Sequence, residues 1–157
     1  MQVNVAQLLK SAVGAERTFK VDESIEIEGQ EIDILGDVKL IRTNRSILVK
    51  GDLETEIDIE CSRCLEIFAH PMHIMFEEEY FPQIDVVSGL PVSMPDEDPG
   101  YFTINTGHVI DLDDAIREYA LLSLPMKPLC KQECAGLCPI CGQNLNTGSC
   151  NCHIDDI

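Results

Sequence analysis

Eight cysteines in 157 residues are the side chains of this sequence best equipped for chemistry. Six of them crowd the C-terminal end as Cys130-x3-Cys134-x3-Cys138-x2-Cys141-x8-Cys150-x-Cys152. The stretch Cys138-Pro139-Ile140-Cys141-Gly142 has the form of a metal-binding turn. Two residues between the cysteines place both sulfurs on one side of a tight loop, and Gly142 permits the positive φ such a loop needs. Cys150 and Cys152 are the nearest downstream pair able to complete a tetrahedron of thiolates around Zn2+, with Asn144 to Gly148 as the intervening loop. Iron–sulfur ligation is the competing metal chemistry for a cysteine-only set. Inert burial is not a competing explanation, because a 32-residue tail over 126–157 has too little apolar mass to bury six thiols.

The remaining pair, Cys61-Ser62-Arg63-Cys64-Leu65, has two active readings. In a thiol–disulfide oxidoreductase a Cys-x2-Cys pair opens a helix, whose dipole lowers the first thiol's pKa. Here the residues after Cys64 are patterned as a strand, so the pair reads as the corner of a β-hairpin and the redox role is disfavoured. As a metal knuckle the pair needs two further ligands, and Cys130 and Cys134 are left over from the tail. The expectation is therefore two groups, Cys61, Cys64, Cys130 and Cys134 tying the tail to the sheet, and Cys138, Cys141, Cys150 and Cys152 folding the tail itself. The competing count is one zinc and a spare pair. His153 can substitute for Cys152 as a ligand; His70, His73 and His108 have no sequence partner that makes them a site.

Other chemistry is sparse. Acidic residues number 28 against 11 basic ones, giving a net charge of −17. A surface so acidic repels nucleic-acid phosphate and anionic lipid over most of its area, and suits a basic protein partner. The basic exception is 38–51, where Lys39, Arg42, Arg45 and Lys50 occur without an acid, with Arg63 further along the same sheet. These cations can touch RNA phosphate, although pairing with neighbouring acids on a solvated hairpin is the preferred explanation. No aromatic residue interleaves in that stretch, so base stacking is not supported. Asp111, Asp113 and Asp114 fit helix capping better than metal binding or catalysis. No nucleotide-binding, P-loop or serine-hydrolase motif is present, and no nucleophile is paired with a base, so no small-molecule substrate is implied and the chain is not expected to be an enzyme.

The elements that must position these residues are mostly strands. Hydrophobic residues make up 45% of the chain and aromatics 5%, so Ile, Val and Leu must build the core. From Ile47 to Cys61 the odd positions are mostly apolar and the even ones mostly charged, the period of a long strand with one buried face. Gly51 marks a bulge within it. Residues 25–40 alternate likewise, and Thr43 to Ser46 is a hairpin turn. Residues 65–80 resume the pattern, with Pro71 at a bulge or edge. A short helix is expected over 3–15, a mobile Pro-rich loop over about 82–100, two short strands around Asn105 to Gly107, and a helix over 111–123 that Pro125 stops. The fold class is α+β: a mainly antiparallel β-sheet or partial barrel with a few helices over 1–125, followed by a Cys-rich zinc-binding tail over 126–157. No secretory signal pattern opens the chain and no apolar stretch is long enough to span a membrane, so a cytoplasmic protein is expected, in which free thiols serve metal or redox chemistry.

With these pieces in order, the chain resembles the YceD family, named for large ribosomal RNA subunit accumulation. The matching residues are Cys61-Ser62-Arg63-Cys64-Leu65 after a long strand, Ile110-Asp111-Leu112 opening a helix, Leu124-Pro125, Pro128-Leu129-Cys130, and Gly136 to Gly142 with Asn144-Leu145-Asn146, Cys150 and Cys152. The resemblance spans about residue 30 to the C-terminus. It implies a role in ribosome assembly and supplies no catalytic residues. The acidic charge then points to contact with a basic ribosomal protein or assembly factor through the acidic face of residues 52–60, with pre-ribosomal RNA touched locally by the basic hairpin. A thiol–disulfide or metal-transfer protein using Cys61 and Cys64, and a general protein-interaction module, are the alternatives.

Overall fold

A computed structural model describes residues 1–93 and 101–152. Among the described residues seven strands and two helices follow in the order β1 (Gln2–Asn4), α1 (Ala6–Leu9), β2 (Glu16–Ile27), β3 (Gln30–Arg42), β4 (Ile47–Glu60), β5 (Ile67–Pro82), β6 (Phe102–Ile104), β7 (Val109–Asp111) and α2 (Asp113–Ser123). The main sheet has five strands in the order β2-β3-β4-β5-β6, and β1 pairs with β7 in a separate two-stranded ladder. Pairing is antiparallel from β2 to β3 to β4 and parallel between β5 and β6. The α+β, mainly antiparallel architecture expected from the sequence is the one observed, with open edges at β2 and β6.

The chain divides into two compact units. The first comprises Met1–Thr55 and Met72–Ser123; the second comprises Glu56–Pro71 and Leu124–Ile157. In the first, alternation buries Val21, Ile34, Val38, Leu40, Val49 and Leu53 on one face of the sheet, as a period of two requires. Helix α2 buries Ala115, Ile116 and Ala120. Its Arg117 Nε donates to the Glu26 carbonyl, and the Tyr119 ring packs 5.7 Å from Phe76. The Asp111 side chain accepts from the Asp113 amide at 3.1 Å, so an acid caps the helix as expected.

Two expectations are corrected. The helix over 3–15 shrinks to four residues, because Val3 pairs with Ile110 and the Val5 amide donates to the His108 carbonyl. Four residues cannot sustain a helix alone, and a distant strand competes for their hydrogen bonds. Gly51 is no bulge: it pairs in regular register with Val38, and a Cβ there would lie 2.0 Å from the Phe76 ring. Its missing side chain is space for an aromatic. Within the Pro-rich segment Asp85 Oδ1 accepts from the Val87 and Ser88 amides and Ile84 is bridged to Pro91; residues 94–100 lie outside those described. Pro71 stands where β5 has β4 as its neighbour, since β6 pairs only with Tyr80–Pro82.

Candidate metal centres and a basic turn

In the second unit the eight sulfurs gather into two sets, Cys61, Cys64, Cys130 and Cys134, and Cys138, Cys141, Cys150 and Cys152. Within each set the sulfurs all lie within 4.8 Å of one another. This is the division expected from spacing. Cys61 Sγ is 3.7 Å from Cys134 Sγ, and Cys64 Sγ is 3.6 Å from Cys130 Sγ. Such distances far exceed a disulfide bond. They match the edge of about 3.8 Å that a tetrahedron acquires when Zn–S is near 2.3 Å. The donor set therefore fits a tetrahedral thiolate metal; His153 lies outside the described residues.

Both Cys-x2-Cys pairs are built on the same turn. The Leu65 amide donates to the Cys61 carbonyl at 2.9 Å, and the Gly142 amide donates to the Cys138 carbonyl at 2.9 Å. One residue on, the Glu66 carbonyl accepts from Cys61 N and the Gln143 carbonyl from Cys138 N. The fifth residue is left-handed in both, at φ 61 for Leu65 and φ 75 for Gly142. The glycine made the second turn recognisable in sequence. The leucine hid the likeness of the first.

Free thiols in these turns are polarised by their neighbours. Burial pushes the Cys61 thiol up, but amides of Cys130, Cys64 and Arg63 outweigh it and hold the group near about 6. The amides of Cys141 and Ile140 pull Cys138 down to about 6. Burial, then Cys64, pushes Cys130 up to about 12, and Cys141 does the same to Cys152. Burial of Cys134 is overcome by donors from Asn146 and Gly136. Each set thus holds some sulfurs as ready thiolates and others as protons that an entering cation must expel. Cys61 is 0% and Cys64 4% exposed, whereas thiol–disulfide exchange requires access to the attacking sulfur.

Two side chains hold the sets in place that spacing alone could not identify. Asn146 Nδ2 donates to Cys134 Sγ at 3.3 Å while its Oδ1 accepts from the Ala135 amide, so the loop of one set supports a sulfur of the other. Arg63, expected as a phosphate contact, instead donates through Nη1 to the Cys134 carbonyl at 2.9 Å. Gly136 lies against it, at a φ of 76, where a Cβ would sit 3.1 Å from the Arg63 carbonyl.

The other expected basic residues lie in the first unit and differ in state. Lys39 pairs with Glu16 at 2.8 Å and Lys50 with Glu77 at 2.6 Å. Arg42 donates from Nη1 to the Ser46 carbonyl and leaves Nε buried without a hydrogen-bond partner among the described residues. Arg45 makes no ion pair among the described residues. The aromatic neighbours that residues 38–51 lack are supplied by the fold: Phe81 and Tyr101 line a cavity with Asn44 and Arg45. No helix of the described residues is long and apolar enough to cross a membrane.

Comparison with known proteins places the chain in a family. The family profile described as "Large ribosomal RNA subunit accumulation protein YceD" matches residues 49–157. The chain is 25% identical over 97% of its length to the Arabidopsis thaliana protein named "Large ribosomal RNA subunit accumulation protein YCED homolog 1, chloroplastic", covering 52% of that protein. It is 27% identical to the Zea mays protein of the same name, over 76% of this chain and 48% of that one. An uncharacterised protein of Mycobacterium tuberculosis is 28% identical over 73% of this chain and 52% of its own. The chain thus spans about half the length of these relatives. No solved structure matches it. The match covers both cysteine sets, most of β4 and all of β5, β6, β7 and α2, and the chain belongs to the YceD family of large ribosomal RNA subunit accumulation proteins.

Proposed function

We propose that this protein is a non-enzymatic ribosome-assembly factor supporting accumulation of the large-subunit ribosomal RNA, its second unit held by two structural zinc ions. The observation that carries the reading is the coincidence of the family match over 49–157 with two complete four-thiol sets inside it. Zinc supplies cross-links of fixed geometry: Cys61 and Cys64 join Cys130 and Cys134, and Cys138 and Cys141 join Cys150 and Cys152. The protein works in the cytoplasm, where thiols stay reduced for the metal. Its partner is a basic ribosomal protein or assembly factor, met by the outward acids of β4 such as Asp52 and Glu54, both exposed. Pre-ribosomal RNA is touched locally.

The test is affinity capture of the tagged, metal-loaded chain from lysate, with proteins identified by mass spectrometry and RNA by sequencing. Large-subunit ribosomal proteins and precursor RNA should be enriched over a tag-only control. An eluate free of both would leave only a general interaction module.

A further inference from the structure

Arg42, Asn44 and Arg45 share a cavity of about 470 Å3 with Leu9, Phe81 and Pro82. Asn44, Arg45 and Phe81 also line a second cavity of about 490 Å3, walled by Tyr101. The Phe81 and Tyr101 rings meet edge to face at 5.3 Å. Both volumes fall in the range of sites that take a small ligand. With Lys39 and Lys50 neutralised by Glu16 and Glu77, Arg42 and Arg45 are the cations of the turn with no carboxylate within ion-pair distance among the described residues. The Asn44 side chain likewise has no hydrogen-bond partner among the described residues, and Arg42 Nε is buried and unused.

These groups specify a ligand. Two guanidinium groups without an ion pair among the described residues, Asp85 being near enough to Arg42 to feel its charge, select an anion by charge complementarity in a chain of net charge −17. A guanidinium fork matches phosphate geometry. The Phe81 ring and the apolar surfaces of Leu9 and Pro82 accept a flat, weakly hydrated body. The Asn44 amide offers one donor group and one acceptor to a polar edge. Phosphate and a polar-edged ring on one backbone describe a nucleotide with its base unpaired, the form in which single-stranded RNA is read. A peptide carboxylate would use the arginines and leave the ring face and the amide idle. Asp85 also lines the cavity, but its Oδ1 is occupied by its own turn, accepting from Val87 N, Ser88 N and Ser88 Oγ. Glu79, on the second cavity, accepts from the Ser46 hydroxyl. These acids oppose a long tract of phosphate lying across the surface and leave room for one or two.

We propose that the cavity beside the β3–β4 turn binds one splayed-out nucleotide of single-stranded RNA, its phosphate on Arg42 and Arg45 and its base against Phe81. The choice of RNA rests on the ribosome-assembly reading; the anion and the unpaired ring rest on the cavity alone. The test is fluorescence anisotropy of the full, metal-loaded chain with a labelled single-stranded oligoribonucleotide about ten nucleotides long. Arg45→Glu should weaken binding about tenfold or more, as loss of a charge-assisted phosphate contact does. Phe81→Leu, which keeps apolar volume and removes the ring face, should weaken it about fivefold. Lys20→Glu, on exposed β2, should leave it unchanged, and circular dichroism should show all three variants folded. The salt dependence should correspond to about one or two phosphates, a log–log slope no steeper than about −1.5. Equal affinity for the same sequence as a duplex, unchanged affinity in both cavity variants, or binding of an acidic peptide in place of RNA would overturn the proposal. Capture of ribosomal proteins by a chain that binds no single-stranded RNA defeats the cavity and spares the assembly reading. RNA binding by a chain that captures no ribosomal component does the reverse.

Discussion

At the scale of single residues the two cysteine sets are chemically alike and differently sheltered. Cys61, Cys64 and Cys134 are buried, whereas Cys141 is exposed and Cys150 and Cys152 are half-exposed. Metal exchange begins with a ligand leaving and a competitor reaching the ion, so the Cys138 set should release zinc to a chelator first. Elemental mass spectrometry should find two zinc per chain in the native protein and one after brief chelation, with Cys141→Ser also at one. The pH dependence follows from the thiols. Cys138 in the folded, metal-free chain lies near 6 against an ordinary 9.0. Its thiolate therefore stabilises the fold fully above about 9, and that contribution is lost as pH falls through about 6. Cys150 and Cys152 are shifted the other way: the Cys152 amide pulls Cys150 down but is outweighed by the Cys138 sulfur that the Cys150 proton serves and by burial, and Cys141 pushes Cys152 up. Zinc must displace those protons, so calorimetry in buffers of different ionisation enthalpy should show proton release on binding, and affinity should drop steeply below pH 6. Asn146→Ala removes the donor to Cys134 Sγ and should weaken zinc at the Cys61 set by about tenfold, the usual effect of losing a group that orients a ligand.

At the scale of elements the repeated turn offers a substitution that improves the protein. Leu65 is 55% exposed and held at φ 61, a conformation that costs a non-glycine residue on the order of 1 kcal/mol. Leu65→Gly copies the second turn, where Gly142 already stands. It should raise the stability of the second unit by up to about 1 kcal/mol with zinc content unchanged, read as a shift in its thermal midpoint. Gly51 gives the opposite result. Gly51→Ala drives a methyl into the Phe76 ring and should cost about 1–3 kcal/mol in urea unfolding, with much of the loss recovered in the double variant with Phe76→Leu. These two positions show how far sequence reaches. The period-two run over 47–61 predicted β4 because alternation is a local property. The role of Gly51 depended on Phe76, which lies on the next strand. Leu65 concealed a glycine-like turn, since residue type alone does not report φ. Val3 belonged to a strand because Ile110 is there to pair with it. Phe81 and Tyr101 reached the basic turn only through the chain's return along β5 and the segment after it.

At the scale of the molecule, the second unit has, among its described residues, little besides its thiols and Ile57 to fold around. Its buried cluster is Cys61, Cys64 and Cys134, with Phe68, Leu129, Cys130 and Leu137 packed on it. In the first unit whole strands and a helix bury isoleucine, valine and leucine. A cluster so small cannot offset the ordering entropy of some tens of residues, at roughly 1–2 kcal/mol each for the backbone, without metal. The sheet can. Zinc removal should therefore unfold the chain selectively. After exhaustive chelation under reducing conditions, amides of Leu124 to Cys152 should lose hydrogen-exchange protection, including Cys138 N and Leu145 N, which now donate to Gln143 and Gly136 carbonyls. Amides in the β2–β3–β4 ladder, such as those of Val38 and Leu40, should keep theirs. Restoring zinc should restore protection. Uniform loss across both units would mean that the metals hold the whole chain together. Protection retained in Leu124 to Cys152 without metal would mean that this segment folds on packing alone, and that the eight thiols serve some purpose other than structure.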